Sequence, residues 1–249
     1  MSGHSKWATI RHKKGAIDAK RGKIFTMHAR AITVAAQSGG DPEMNPTLRI
    51  AIDRAKADNV PNANIDRAVK KGTGEDKDSA IIEELTYEIL GPSGSSFMVE
   101  VLTDNKNRSL TNLKIAVTKN EGTFGSAGSV GWKFDRKAFL LVDTGATSND
   151  DAELSLIDCG ADDLSKNEEG KWEVYAAADH LGEARKAMEA AGFKVEKDEL
   201  IWKAKEDLKI TDLNEAKKIL KLMDKMEDDE DVRAIHSNVD FAEDLLAHF

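Results

Sequence analysis

Lys6, Arg11, Lys13, Lys14, Lys20, Arg21, Lys23 and Arg30 stand against a single acid, Asp18, within the first thirty residues of a chain whose formal net charge is -9. A cationic segment at one end of an acidic protein suggests an arm whose partner is a polyanion. Trp7 and His12 lie among these cations and supply flat faces suited to stacking on bases, which phosphate neutralisation alone does not need. Should about four phosphates be neutralised at a slope of about −0.7 per contact, affinity for a single strand would fall roughly fiftyfold between about 50 and 200 mM salt. The expected nucleic-acid contacts are Lys6, Trp7, Arg11, His12, Lys13, Lys14, Lys20, Arg21 and Lys23. Arg49, Arg54, Lys70, Lys71, Lys106 and Arg108 form a possible extension that ordinary surface charge explains equally well.

Other residue groups that could carry chemistry have structural explanations. Cys159, the one cysteine, excludes an internal disulfide and reads as a small apolar residue. Gly122, Gly125, Gly128 and Gly131 recur every three residues but match neither the P-loop nor the dinucleotide fingerprint, so a tight connection accounts for them better. The run Glu227-Asp228-Asp229-Glu230-Asp231 lacks the alternating ligands of a calcium loop and reads as a solvated turn. The six histidines show no paired-ligand spacing, and no serine has a nucleophile-elbow context, so neither a metal, a cofactor nor catalysis is expected. In Thr103-Asp104-Asn105-Lys106-Asn107-Arg108-Ser109, capping by Asn107 or Ser109 explains only part of the polar character; contact with a partner is the other reading.

The elements that must position these residues are legible from periodicity. Ile17, Ile24, Phe25, Ile32, Ala35 and Ala36 predict a helix over 17–36, closed by Gly39-Gly40. Asn45-Pro46 offers an N-cap and first-turn proline for a second helix with Leu48, Ile52 and Ala55 on one face. A short third helix is expected from about Ala63 to Lys71, stopped by Gly72; it lacks the polar start that would read base edges in a groove. Leu85, Tyr87 and Ile89, then Phe97, Val99 and Val101, alternate on either side of Gly91-Pro92-Ser93-Gly94 as a hairpin should. A helix carrying Leu110, Leu113 and Val117 follows, and Val130, Trp132 and Phe134 alternate as a strand. Beyond it come a strand at Phe139–Val142, a helix ending at Gly160, a strand at Trp172–Ala176, a helix from His180 to Gly192 and a final strand. A helix over Leu213–Met226 and a strand near Val232–Ile235 complete the chain.

The fold class expected is α+β with three domains. Residues 1–75 would hold the basic arm and a three-helix domain, residues 76–134 with 206–249 a discontinuous α+β domain, and residues 135–205 an inserted α+β domain. No apolar run approaches the roughly 18 residues needed to span a bilayer, and the basic start runs into a helix without a cleavage-like region, so the cytoplasm is the expected location.

The string GHSKWATIRHKKGAIDAKRGKIF from Gly3 to Phe25 closely resembles the opening of the YebC/PmpR family. The resemblance continues through GGDPEMNPTLRIAIDRAKADNVP, NIDRAVKKGTG, TDNKNRS, GSAGSVGWKFDRK and KWEVY, and so covers most of the chain. It implies a helical N-terminal domain and two α+β domains, the middle one completed by the C-terminus. It also implies a role as a probable DNA-binding transcriptional regulator or, as in the mitochondrial and some bacterial members, a factor acting on ribosomes. The combined expectation is a non-enzymatic nucleic-acid-binding regulator of gene expression with a lean to rRNA, because an acidic body is repelled by a long duplex while an arm enters a ribosomal pocket alone. The alternatives are DNA binding at promoters, a protein-interaction scaffold, and a carboxylate-dependent phosphate-ester hydrolase.

Overall fold

The computed structural model describes residues 17–75, 81–167 and 169–246. Packing divides them into two units, residues 17–129 with Asp212–Ile235, and Val130–Thr211 with residues 236–246. Both mix helix and sheet, as the α+β expectation requires.

The first unit opens with three helices, α1 (Ile17–Ala36), α2 (Pro46–Ala57) and α3 (Asn62–Gly72). Ile32, Ala35 and Ala36 of α1, Leu48, Ile52 and Ala55 of α2, and Ile65 and Ala68 of α3 share one core with Val60. Apolar residues three and four apart produce that stripe, and burying it stabilises helices too short to persist alone. Asn45 is extended and accepts a hydrogen bond from the Leu48 amide at 3.1 Å, while Pro46 occupies the first turn, where no amide donor is needed. The same side chain donates to the Ala35 and Gly39 carbonyls at 2.8 Å each, so one residue starts α2 and ties down the end of α1. His28 Nε2 lies 2.5 Å from the Asp58 carboxylate, linking α1 to the residue that caps α2.

At Gly72 the backbone of α3 packs directly against α1. A Cβ there would stand 2.3 Å from the Thr33 carbonyl oxygen and 2.6 Å from Ala36 Cβ. Gly72→Ala should therefore cost about 1–3 kcal/mol by forcing the helices apart. Chemical denaturation would show this as a lowered midpoint, whereas an unchanged midpoint would mean that the helices separate freely.

The sheet of this unit has the order β3-β1-β2-β9, built from β1 (Glu83–Leu90), β2 (Ser96–Thr103), β3 (Thr123–Phe124) and, last in sequence, β9 (Val232–Ser237). β1 and β2 form the expected hairpin, with Tyr87 opposite Val99, joined by a 3-10 turn over Pro92–Gly94 in which Ser93 and Gly94 take positive φ. All eight β2 residues are buried, not just alternate ones. β2 is a central strand between β1 and β9, and α1 contacts it, so Met98, Glu100 and Leu102 are covered as well as Phe97, Val99 and Val101. Helix α4 (Lys106–Lys119) buries Ser109, Leu113 and Val117, with Leu110 only half-buried, so its inward stripe is rotated from the one expected. The C-terminal helix of this unit, Leu213–Glu227, packs against α4 and buries six apolar residues from Ala216 to Met226. The glycine loop closes onto β1: Gly125 N donates to Glu88 O at 2.8 Å and Gly128 N to the Glu88 carboxylate at 2.7 Å, which makes it a connection rather than a phosphate cradle.

The second unit contains β4 (Phe134–Asp143), α5 (Asn149–Asp158), β5 (Asp163–Lys166), β6 (Trp172–Ala177), α6 (Leu181–Ala190) and β7 (Lys194–Ala204), with the sheet order β5-β6-β4-β7. Ala138, Leu140 and Val142 of β4, with Trp172, Val174 and Ala176 of β6, face Ala152 and Leu156 of α5 and Ala184 and Met188 of α6. β8 (Leu208–Ile210) and β10 (Val239–Phe241) pair in parallel as a separate two-stranded sheet; the helix Leu213–Glu227 between them in sequence is α7, and α8 (Glu243–Leu246) follows β10. β5 was not expected, because its sequence Asp-Leu-Ser-Lys is short and polar and gains its place only by pairing with β6. The expected strand through Val130, Trp132 and Phe134 is corrected: Gly131–Lys133 is a 3-10 turn, Val130 and Phe134 are buried on either side of it, and Trp132 is 66% exposed.

Candidate nucleic-acid interface

Lys6, Trp7, Arg11, His12, Lys13 and Lys14 lie outside the described residues. Lys20, Arg21 and Lys23 fall in the first two turns of α1. On the helical segment, Arg49 and Lys70 are exposed, and Arg54 and Lys71 are half-buried. Arg54 is in the last turn of α2, and Lys70 and Lys71 are in the last turn of α3, where a cation also favours the negative end of the helix dipole.

The remaining two candidates are engaged with carboxylates of their own chain. Lys106 Nζ lies 2.8 Å from Glu83, and that hydrogen bond raises the ammonium's pKa. Arg108 is held at 2.9 Å by both Asp231 and Asp104, and the Asp231 hydrogen bond is the foremost reason its pKa is raised.

Asp231 is the centre of a buried ion-pair network. Its side chain is 3% exposed, with Arg30 of α1 at 2.7 Å and Arg108 of α4 on the other side. Thr103 Oγ1, at the end of β2, donates to it at 3.1 Å, and Ser109 Oγ donates as well. Its own carbonyl accepts from the Leu102 amide at 2.8 Å, and Arg30 also reaches the Glu230 carbonyl. Burial pushes the carboxyl's pKa up, but the Ser109 and Arg108 hydrogen bonds, the Arg30 charge and the Thr103 hydrogen bond outweigh it, so the pKa lies below the ordinary value. The expectation of a solvated acidic turn is thus corrected at its last residue: the turn after α7 carries Asp231 inward, where four donors compensate its charge.

This arrangement also accounts for the polar segment 103–109. Asn105, not Asn107 or Ser109, caps α4, its side chain accepting from the Arg108 amide at 3.0 Å. Thr103, Arg108 and Ser109 all serve Asp231. An open cleft of about 470 Å³ adjoins the network, lined by Arg30, Arg108 and Asn112 and by Asp104, Asp228, Asp229, Glu230 and Asp231. Five carboxylates facing two guanidiniums give this cleft a net negative charge. No cluster of three or more His, Cys, Asp or Glu suited to a metal occurs among the described residues. Cys159 packs against the core of the second unit, where burial and then the Asp158 charge raise its thiol pKa and keep it protonated.

Charge is partitioned along the chain. Of the 36 Lys and Arg, 14 fall within residues 1–75, against 7 of the 45 Asp and Glu; residues 76–249 hold 22 and 38. No helix among the described residues is long and apolar enough to cross a membrane.

Fold and charge together define an α+β protein whose helical N-terminal segment has a cationic excess and whose remainder is strongly acidic. The chain belongs to the YebC family: the model of the TACO1/YebC protein N-terminal domain matches residues 5–75, and that of the TACO1/YebC second and third domain matches residues 82–239. It is similar to a "probable transcriptional regulatory protein" of Geotalea uraniireducens, 47% identical over 99% of this chain and 98% of that one. A protein of the same name from Maridesulfovibrio salexigens is 44% identical over the same shares. Among solved structures, a conserved hypothetical protein from Aquifex aeolicus matches with a TM-score of 0.83 and 35% identity, covering 92% of this chain and 94% of that one.

Proposed function

We propose that this protein is a non-enzymatic regulator of gene expression that works in the cytoplasm and binds nucleic acid through the cations of residues 6–23. The observation that carries the reading is the charge partition: 14 Lys and Arg against 7 acids in residues 1–75, and 22 against 38 in the rest. A long duplex presents phosphates to the whole molecule and is repelled by its acidic part, whereas folded RNA in a large assembly offers a pocket that a cationic segment enters alone. On this reading Lys6, Arg11, Lys13, Lys14, Lys20, Arg21 and Lys23 neutralise phosphates, and Trp7 and His12 stack on bases or sugars. The working partition is a helical domain at 1–75, an α+β domain at 76–134 with 206–249, and an inserted domain at 135–205. The relatives' names as probable transcriptional regulatory proteins favour a second reading, DNA binding at promoters.

Competition separates the two. Unlabelled ribosomes and unlabelled duplex DNA, titrated at fixed salt against a labelled RNA bound to the full chain, should differ, with ribosomes displacing the probe at far lower phosphate concentration. Duplex DNA displacing it as well as ribosomes do would contradict the RNA preference.

A further inference from the structure

Trp132 is a large apolar ring kept out of the core by a well-anchored backbone. The residues flanking its turn, Val130 and Phe134, are 0% and 3% exposed, while Trp132 itself is 66% exposed. The Lys133 amide donates to the Val130 carbonyl at 2.9 Å, and the Lys205 amide donates to the Lys133 carbonyl at 2.9 Å, fixing the turn to the strand that pairs with β4. The ring is therefore presented on a rigid support, which is how an aromatic contact avoids losing its binding energy to ordering.

The charges around it are arranged as cations over indoles. Lys133 Nζ lies 5.6 Å from the Trp132 ring centroid, and Arg136 lies 5.1 Å from that of Trp202, which is directly opposite it on β7. Asp135 is paired with Lys205 at 3.3 Å, while Lys203, on the face of the sheet opposite to Arg136, pairs with Asp163 and lies 3.8 Å from the Tyr175 ring centroid. The exposed Asp135–Lys205 pair is nearly neutral in energy. Lys133 beside the outward Trp132 and Arg136 beside Trp202 are the elements of a stacking platform for an unpaired base with its backbone phosphate.

We propose that Trp132, with Lys133 and Arg136, is a second nucleic-acid contact that stacks an unpaired base of single-stranded RNA. The proposal rests on the nucleic-acid reading above and adds an element of selectivity, because a base inside a duplex does not expose its face to the ring.

The test measures binding of the full chain to a fluorescein-labelled oligoadenylate of about 12 nucleotides, and to an RNA duplex of the same length, by anisotropy. Trp132→Ala should weaken single-strand binding roughly tenfold to a hundredfold, leave duplex binding and the salt slope unchanged, and be largely rescued by Trp132→Phe. Because the ring is exposed, the variant should keep the parent's melting temperature. Lys13→Gln with Lys14→Gln should show the opposite signature, a shallower salt slope on both RNAs. Trp132→Ala with wild-type single-strand affinity, or with equal loss on both RNAs, overturns this proposal, as does a variant that keeps RNA affinity but no longer sediments with ribosomes, which would assign the ring to a protein surface. Lys13→Gln with Lys14→Gln leaving binding untouched overturns the nucleic-acid reading instead.

Discussion

Asp231→Ala should destabilise its unit by about 3 kcal/mol, the lower end of the range for breaking a buried ion pair. The substitution leaves Arg30 without its carboxylate and removes the acceptor that Thr103 and Ser109 use. Arg108 is the reason for the lower end, since its side chain is 45% exposed and keeps Asp104. Asp231→Asn preserves an acceptor but no charge, so its loss should be smaller. The same network sets an acid limit. Because the folded pKa of Asp231 is lowered from 3.8, its stabilisation is complete above the ordinary carboxylate range and disappears as pH falls through the lower folded value. Urea midpoints recorded downward from about pH 5 should fall more steeply for the parent than for Asp231→Asn. Parallel curves would mean that the carboxylate contributes nothing through its charge.

Replacing Lys6, Arg11, Lys13 and Lys14 with glutamine should lower affinity for single-stranded RNA several hundredfold at about 0.1 M salt, since counterion release from four phosphates contributes a factor of about ten to the power 2.8. The effect should exceed simple charge arithmetic, because the acidic remainder of the molecule then repels the RNA unopposed. Arg49→Gln, at an exposed position of α2, should change affinity far less if the segment 6–23 is the main contact. Equal losses from the two changes would spread the interface over the helical surface.

Local signals carried most of the secondary structure. Asn45-Pro46 starts α2 and caps it as read, since a cap and a first-turn proline act within one turn of chain. The turn at 92–94 is equally local, whereas α3 runs through Gly72, the expected stop, to a cap at Thr73, with Gly74 taking the positive φ. Features decided by distant packing were not legible. Burial of both faces of β2 depends on a strand and a helix more than a hundred residues apart in sequence, β9 and α1. Alternation of Val130, Trp132 and Phe134 fits a strand, but one 3-10 turn between two buried anchors produces the same pattern and turns the indole outward. Asp231 was hidden because an acidic run has no periodicity to show which member faces inward. The only trace lay elsewhere, in a segment from Thr103 to Ser109 with more donors than helix capping requires.

The dependence of single-strand RNA affinity on potassium chloride, measured for the parent and for the four-glutamine variant, tests the central claim most directly. Cationic docking predicts that log affinity falls with log salt less steeply for the variant than for the parent, by about 2.8 in slope, since each of the four replaced contacts carries about −0.7. Two lines of the same slope, whatever their height, would contradict it.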